Sequence, residues 1–397
     1  MIIPLAFLLL APPQDALVAK GFDHFYNVEY PEAVDAFRRA VEAAPNDPRR
    51  RTHLAQAVLF LVMERAGALE SEMVTGANSF LRRPRMEPKA GEDALFHEQI
   101  DTALRLADQK LKSNPNDPEA LYAQGVALGL RGTWRFLVRK SWMDALRDIT
   151  NARKAHNRVV ELQPGNIDAR MLQGVHDYIV GSLPLAYKVL GFLAGFRGNR
   201  EAGMETLRLV AAKGDENKID AAILLGAILR RERRPREVIP ILEDLRRRYP
   251  RNYLVQFELS QMYADLGDLE QSLAALDRLV ELKKSGASGF RRVPNERIEL
   301  ARGNVLFWYE KPAQAIPHLK SATAGAELLD PNSVQLAWVR LGQCLDLTGR
   351  RAEAKAAFSR AAELKPPTEL TRSSRRFIST SFTMADKRKM DLPPPTQ

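Results

Sequence analysis

One spacing of small, apolar and proline residues occurs near both ends of the 397-residue chain. Near the C-terminus, the spacing consists of Trp338, Leu341, Gly342, Leu345, Ala354, Phe358, Ala361 and Pro366. Near the N-terminus, the equivalent slots hold Gly21, Ala33, Phe37, Ala40 and Pro45. Residues three and four positions apart share one face of a helix, so each unit predicts two helices with facing apolar sides. Such a pair buries its apolar faces only against neighbouring pairs, which indicates a stacked array.

The spacing resembles that of the tetratricopeptide repeat, a helix–turn–helix unit of about 34 residues. About eight such units can be placed on the chain, and they open near residues 14, 48, 118, 167, 219, 253, 296 and 335. The resemblance implies an all-α fold, a right-handed superhelical solenoid of about eight helix pairs with insertions and a concave inner face. We expect more than roughly 60% helix and no β-sheet.

The predicted solenoid covers residues 14–368 and contains two insertions. The first, about residues 67–91, has the glycine and proline content of a loop, and it either covers the solenoid edge or contacts a partner. The second, about residues 182–197, includes the apolar segment from Ser182 to Phe196. This segment is too short to span a bilayer and is interrupted by Pro184 and Lys188. We expect it to pack into the solenoid and fill part of the groove, with membrane association and partner docking as alternatives.

The two ends of the chain differ in character from the solenoid. Residues 1–13 resemble a secretory signal peptide, because an apolar stretch from Ile2 to Ala11 precedes a proline pair. We therefore expect a bacterial protein exported to the periplasm or the medium; the alternative is a cytoplasmic protein in which this stretch caps the first unit. Residues 369–397 predict a short cap helix, through about Phe377, followed by a disordered basic tail.

Residues 134–150 combine an apolar and a basic face at helical spacing. The apolar set is Trp134, Phe136, Trp142, Met143, Leu146 and Ile149, and the basic set is Arg131, Arg135, Arg139 and Lys140. The pattern predicts a lengthened helix. A buried aromatic face within the stack explains it, and so does a helix that lies on an anionic membrane.

In tetratricopeptide-repeat proteins, the first helix of each unit lines the concave groove. By this resemblance, the partner-binding residues are expected to be Tyr122, Met171, Ile223, Phe257 and Leu300. These side chains are mostly apolar, which suits an amphipathic helix or an extended apolar segment of a protein or peptide partner. The lysine and asparagine residues that clamp a peptide carboxylate in some members are absent from these slots.

Neither nucleic-acid binding nor catalysis is indicated by the residues. The formal net charge of +10 comes largely from arginine clusters that lie on several units and mostly at helix ends, so we expect no nucleic-acid partner. His97 and Glu98 begin like a zinc motif, but Asp101 stands where the second histidine belongs. Cys344 is the single cysteine, which rules out an internal disulfide. We expect no catalytic residue, metal ion or cofactor.

The sequence therefore predicts a non-catalytic scaffold that binds a partner polypeptide through a largely apolar groove. The alternative is a peripheral membrane protein that uses residues 134–150 and 182–196 in weak contact with anionic lipid. The sequence leaves the oligomeric state open.

Overall fold

A computed structural model describes residues 13–69, 85–182, 198–365 and 367–390. Helix makes up 78% of these residues, and within these ranges there are eighteen α-helices and no strand. The helices are α1 (Pro13–Tyr26), α2 (Tyr30–Ala43), α3 (Pro48–Arg65), α4 (Glu92–Ser113), α5 (Pro118–Trp134), α6 (Trp142–Leu162), α7 (Met171–Gly181), α8 (Arg200–Lys213), α9 (Lys218–Arg231), α10 (Pro235–Arg248), α11 (Leu254–Asp265), α12 (Leu269–Lys284), α13 (Asn295–Trp308), α14 (Pro312–Ala324), α15 (Pro331–Leu347), α16 (Arg351–Glu363), α17 (Glu369–Ser379) and α18 (Met384–Met390).

The first sixteen helices form eight consecutive pairs, from α1 and α2 to α15 and α16. Each of these helices contacts the next one along the chain, and first helices of adjacent pairs also touch, as α3 touches α5 and α13 touches α15. The prediction of an all-α solenoid is therefore confirmed. The first helices form one layer and the second helices the other.

Glycine allows the two helices of a pair to approach closely. A Cβ atom added to Gly342 would lie 2.7 Å from Cε1 of Phe358, and one added to Gly21 would lie 2.4 Å from Cε1 of Phe37. Both rings are buried. The first pair and the eighth pair thus each have an equivalent glycine–phenylalanine contact between their own two helices. A larger residue at either glycine would push the two helices of that pair apart.

Several first helices begin with the same cap. Asp47 and Asp117 each precede a proline at the first helical position, and each side chain accepts a hydrogen bond from a backbone amide of the first turn. Asp330 does the same before Pro331 and accepts from two amides. The aspartate side chain thereby fixes the start of each helix. Proline is tolerated at the first helical position because the cap accepts from amides that follow it, and the missing proline N–H is not needed.

The lengthened helix predicted over residues 134–150 is wrong. Helix α5 ends at Trp134, a π-helical turn covers Arg135–Arg139, and Lys140 adopts a left-handed conformation with φ of 57° before α6 begins at Trp142. The left-handed residue ends the helical path, so the two tryptophans face different surroundings. Trp134 is fully buried and stacks on Phe96 at 4.1 Å, whereas Trp142 is exposed.

The C-terminal tail is more ordered than predicted. Helix α17 contains the expected cap, but α18 follows it within the segment predicted to be disordered. Phe382 is buried at 5.2 Å from Phe377, and its amide donates to the Asp346 carboxylate at 2.7 Å. The buried Phe382, the Lys387–Glu310 ion pair of 3.4 Å and the Arg376–Asp386 ion pair of 3.0 Å together anchor this short helix.

Several predictions fall outside the described residues. The signal-peptide stretch falls there except for Pro13, as do residues 70–84 of the first insertion and 183–197 of the second, Pro366 and residues 391–397.

Candidate partner-binding surfaces

The first helix pair is joined to the sixth by a cluster of polar contacts. The Arg251 amide donates to Oδ1 of Asn27 at 2.8 Å, and Asn252 Nδ2 donates to the carbonyl of Tyr26 at 2.8 Å. The Arg251 guanidinium binds Glu29 at 3.0 Å and Asp23 at 2.5 Å. Burial alone would raise the pKa of Glu29, but the hydrogen bonds from Arg251 and His24 lower it overall. The first helix pair is therefore bound by Arg251 and Asn252, which lie more than 200 residues later in the same chain.

Helix α3 extends this contact along the inner layer. Gln56 Nε2 donates to Asp220 at 3.5 Å, the Tyr253 hydroxyl donates to Glu64 at 3.2 Å, and Asn332 Nδ2 donates to the carbonyl of Ala66 at 3.4 Å. One apolar cluster continues beneath these contacts and joins the two parts of the chain. It includes Phe25, Tyr26, Leu54, Val58, Tyr253, Phe257, Phe290 and Val293. We call this whole junction the inner closure. The inner face is here occupied by the chain itself.

Two carboxyl groups at the inner closure have raised pKa values. Burial raises the pKa of Asp220 to about 6, although hydrogen bonds from Gln56 and Tyr26 act in the opposite direction. Burial likewise raises the pKa of Glu64, and Arg292 partly offsets the increase. The closure therefore contains groups that prefer their neutral form more than exposed carboxyls do.

Three of the five predicted groove residues are buried. The Tyr122 ring stacks on His156 with centroids 5.0 Å apart, and its hydroxyl accepts from Asn217 Nδ2 at 2.8 Å. Phe257 lies in the inner closure, with the Arg297 guanidinium 4.9 Å from its ring centre. Leu300 packs in the apolar cluster of the last two pairs and the C-terminal cap. These three side chains contact the protein's own core.

The other two predicted residues retain contact with solvent. Met171 is half-buried against the cluster formed by α7 to α12, and Ile223 is 42% exposed. The five residues lie in different apolar clusters or on the surface, so the structure does not bring them together on one continuous face. Their role in binding a partner stays a prediction.

An open groove lies between the second helices α4 and α6, with the first helix α5 as its floor. Its volume is about 850 Å³. Leu104, Leu121 and Leu128 supply apolar surface, and Leu104 and Leu128 are only half-buried. The charged side chains along it are Asp101, Arg105, Asp108, Lys112, Arg131, Lys154 and Arg158. We call this the α4–α6 groove.

Sequence reasoning missed the α4–α6 groove. Leu121 and Leu128 are seven residues apart on one face of α5, together with Gln124 and Arg131. This face of α5 alternates leucine with polar residues. Such a mixed pattern is typical of a helix face that is partly exposed to solvent, and it could have indicated the groove.

A smaller polar cavity of about 500 Å³ lies beside Tyr122. Arg49 crosses it, pairs with Glu216 at 2.8 Å and with Glu119, and lies 5.9 Å from the Tyr122 ring centre. The Asp168 carboxylate accepts hydrogen bonds from the backbone amides of residues 215–217. The main charged groups of this cavity are therefore already paired with one another.

An exposed apolar patch marks the start of α6. Trp142, Met143 and Leu146 are 42%, 74% and 48% exposed. Phe136 contacts the Trp142 ring edge-on at 4.6 Å, and Lys140 Nζ lies 5.9 Å from both ring centres. The patch thus joins large apolar side chains to a cation. No helix in the described ranges has the length and apolar character needed to cross a membrane.

The histidine and cysteine residues belong to the packed core or to ion pairs. Cys344 is buried, and burial raises the pKa of its thiol to about 12. Burial lowers the pKa of His53 and of His156 to about 4. Within the part of the chain that the structure describes, no three His, Cys, Asp or Glu residues are grouped as a metal site.

Comparisons with known proteins find family profiles and solved structures that are similar to this chain. Family profiles described as tetratricopeptide repeat match residues 89–134, 223–287 and 336–368. Similar solved structures include yeast Tom70, with a TM-score of 0.41 and 14% identity over 95% of this chain and 96% of that chain. Another is a tetratricopeptide repeat protein from Parabacteroides merdae, with a TM-score of 0.32 and 13% identity over 82% of this chain and 98% of that chain. No curated protein matches the chain. The profile matches and the repeated helix pairs together show that the chain contains tetratricopeptide repeats.

Proposed function

We propose that this protein is a non-catalytic scaffold that binds a partner polypeptide. Tetratricopeptide repeats generally mediate contacts between proteins. The observation that carries the proposal is the open α4–α6 groove, which offers apolar surface with charged walls on a rigid stack of helices. Apolar surface framed by polar groups is the usual composition of a protein interface.

The concave face is the second place where a partner could bind. The inner closure fills part of that face, so a partner could bind there only through the predicted groove residues whose side chains are still exposed to solvent. Of the five predicted residues, Ile223 is the most exposed and Met171 is partly exposed. Ile223 is therefore the position at which the concave-groove hypothesis is tested without disturbing the core.

A pull-down with the full chain as bait separates the two surfaces. The variants are Ile223→Glu for the concave face and Lys112→Glu/Lys154→Glu for the α4–α6 groove. Leu266→Glu is the matched control, because Leu266 is 38% exposed and lies outside both surfaces. A partner lost with only one test variant assigns the binding surface. Absence of any specific partner with the wild-type bait contradicts the scaffold function.

Peripheral membrane binding is a second candidate function, supported by the exposed patch of Trp142, Met143 and Leu146 beside Lys140. Aromatic and apolar side chains next to basic groups suit the interface of an anionic bilayer. The other segment of this hypothesis, residues 182–196, lies outside the described residues apart from Ser182.

Flotation with vesicles of phosphatidylglycerol and phosphatidylcholine tests this candidate. We expect the wild-type chain to float with the anionic vesicles and Trp142→Ala/Met143→Glu to remain in the dense fraction. Ile179→Glu is the control, because Ile179 is 53% exposed but lies on α7. If the wild-type chain does not float, membrane binding through this patch is wrong.

A further inference from the structure

We infer that the α4–α6 groove binds an acidic amphipathic helix of a partner protein. The inference rests on the proposed scaffold function and specifies the partner of that groove. It follows from three properties of the groove, which are its length, its floor and the distribution of charge on its walls.

The length of the groove fits a short helix. Its α4 wall runs from Asp101 to Lys112, which corresponds to about 16 Å at 1.5 Å per helical residue. A partner helix of three turns has the same length. An extended peptide would cover the same distance with only about five residues and would present few side chains to a floor that runs along a helix.

The floor selects one apolar face of the partner. Leu104, Leu121 and Leu128 lie along the groove, and Leu104 and Leu128 keep solvent-exposed surface. Covering this surface with a row of apolar side chains at helical spacing removes both from water. A partner helix that is polar on all sides would leave the leucines unpaired.

The walls select acidic flanks. Among the side chains that line the groove, five are cationic and two are anionic. The charged residues from the α6 wall, Lys154 and Arg158, are both cationic, whereas the α4 wall mixes both signs. Acidic side chains on the flank facing α6 therefore meet cations only. The chain as a whole has a formal charge of +10, which adds a favourable long-range attraction.

Two lysines are available to contact the partner directly. Arg131 is held by Asp148 in two hydrogen bonds of 2.9 Å, and Arg158 is held by Asn116 and Glu161. Lys112 and Lys154 are exposed, and neither has an ion-pair partner among the described residues. Arg131 and Arg158 are thus fixed in the groove walls, whereas Lys112 and Lys154, together with the exposed Arg105, supply its accessible positive charge.

A designed probe tests the proposal on the full-length chain. The probe is a fluorescein-labelled 16-residue peptide with leucine at positions i, i+4, i+7 and i+11 and glutamate on both flanks. The comparison probe has lysine in place of each glutamate. We expect anisotropy titrations at moderate salt to show saturable binding of the acidic probe and weaker binding of the basic probe. We expect Lys112→Glu/Lys154→Glu to weaken binding of the acidic probe by about tenfold.

The control variant is Lys284→Glu/Lys365→Glu, which makes the same change in net charge at two exposed lysines outside the groove. Retained affinity in this control, together with loss in the groove variant, supports the site. Equal loss in both variants, equal affinity for both probes, or no binding of the acidic probe would each overturn the proposal. The scaffold function itself is read separately, by the pull-down with the wild-type chain as bait, so its failure is distinguishable from failure at this groove.

Discussion

The backbone amide of Arg251 donates a 2.8 Å hydrogen bond to Oδ1 of Asn27, a residue 224 positions earlier in the chain. The Arg251 side chain completes the junction by binding Glu29 and Asp23. One residue therefore connects the sixth helix pair to the turn of the first pair through both its backbone and its side chain.

Replacing the Arg251 side chain should weaken the inner closure. Arg251→Ala leaves Glu29 in a partly buried site without its main cation, and we expect a loss of about 1–3 kcal/mol in the free energy of unfolding. Urea denaturation followed by circular dichroism measures it. Arg247→Ala is the control, because the Arg247 side chain is 68% exposed and pairs with Asp244, and it should change stability by less than about 0.5 kcal/mol. Equal effects of the two variants would show that the junction contributes nothing.

Asp220 should make the protein less stable as pH rises from about 4 to about 6. Its pKa is raised by burial from 3.8 to about 6, so the folded state holds the proton more tightly than the unfolded state does. The favourable contribution is complete below the unfolded pKa and is lost as pH passes the folded pKa. Asp220→Asn should therefore raise stability at pH 7.5, by at most about 3 kcal/mol, and much less at pH 4. Thermal unfolding of both proteins across this range is the measurement, and a gain that is the same at every pH would contradict the assignment.

His156 should have the opposite effect. Burial lowers its pKa from 6.5 to about 4, so the folded state binds fewer protons than the unfolded state over this interval. Its neutral ring donates from Nε2 to the Tyr122 carbonyl at 3.3 Å, and its buried Nδ1 has no hydrogen-bond partner among the residues that the structure describes. Stability present above pH 6.5 is therefore lost as pH falls to about 4.

His156→Phe should flatten this part of the stability profile by up to about 3 kcal/mol. Any packing cost of the phenylalanine is the same at every pH, so the slope is the quantity to compare. Tyr122→Phe is the control, since it keeps the stacked ring and adds no group that titrates in this range. An unchanged slope in His156→Phe would show that His156 is not the titrating group.

The difference in space around Gly342 and Gly226 predicts two opposite results for the same glycine-to-alanine substitution. Gly342→Ala places a methyl group 2.7 Å from the buried Phe358 ring, and we expect a net loss of about 1–2 kcal/mol despite the better helix propensity of alanine. At Gly226 the nearest atom, Cγ1 of Val238, lies 3.9 Å away, so Gly226→Ala should be neutral or stabilise by up to about 1 kcal/mol. Chemical denaturation of the two variants side by side tests the difference, and destabilisation by Gly226→Ala would contradict it.

The features that sequence could predict are those specified within one helix pair. Gly342 and Phe358 are sixteen residues apart, and their spacing recurs as Gly21 and Phe37, so the pattern identifies the paired helices directly. The turn at Gly349, with φ of 76°, belongs to the same local signal. Such contacts are encoded by periodicity and by a residue that alone fits the available space.

The contacts between distant pairs could not be predicted. Nothing near Asn27 or Arg251 shows that these residues meet, because their contact depends on the accumulated rotation of the four helix pairs between them. The same reason explains why Phe257 was expected to face a partner and is buried instead, whereas Leu300 is buried by its own and the neighbouring helix pair. The break at Lys140 was missed because lysine rarely adopts a left-handed conformation, so the helical pattern on both sides of it was interpreted as continuous.

The inner closure changes how the array is expected to lose its structure. In an open solenoid, each pair interacts only with its neighbours, so a terminal pair frays alone and unfolding proceeds along the stack. Here the first two pairs share an apolar cluster with the sixth and seventh, so melting α1 to α3 also exposes apolar surface on α11 to α13. The free energy required to unfold the N-terminal helices therefore includes the exposure of apolar surface on the sixth and seventh pairs. The closure thereby converts a one-dimensional series of repeats into a single cooperative unit.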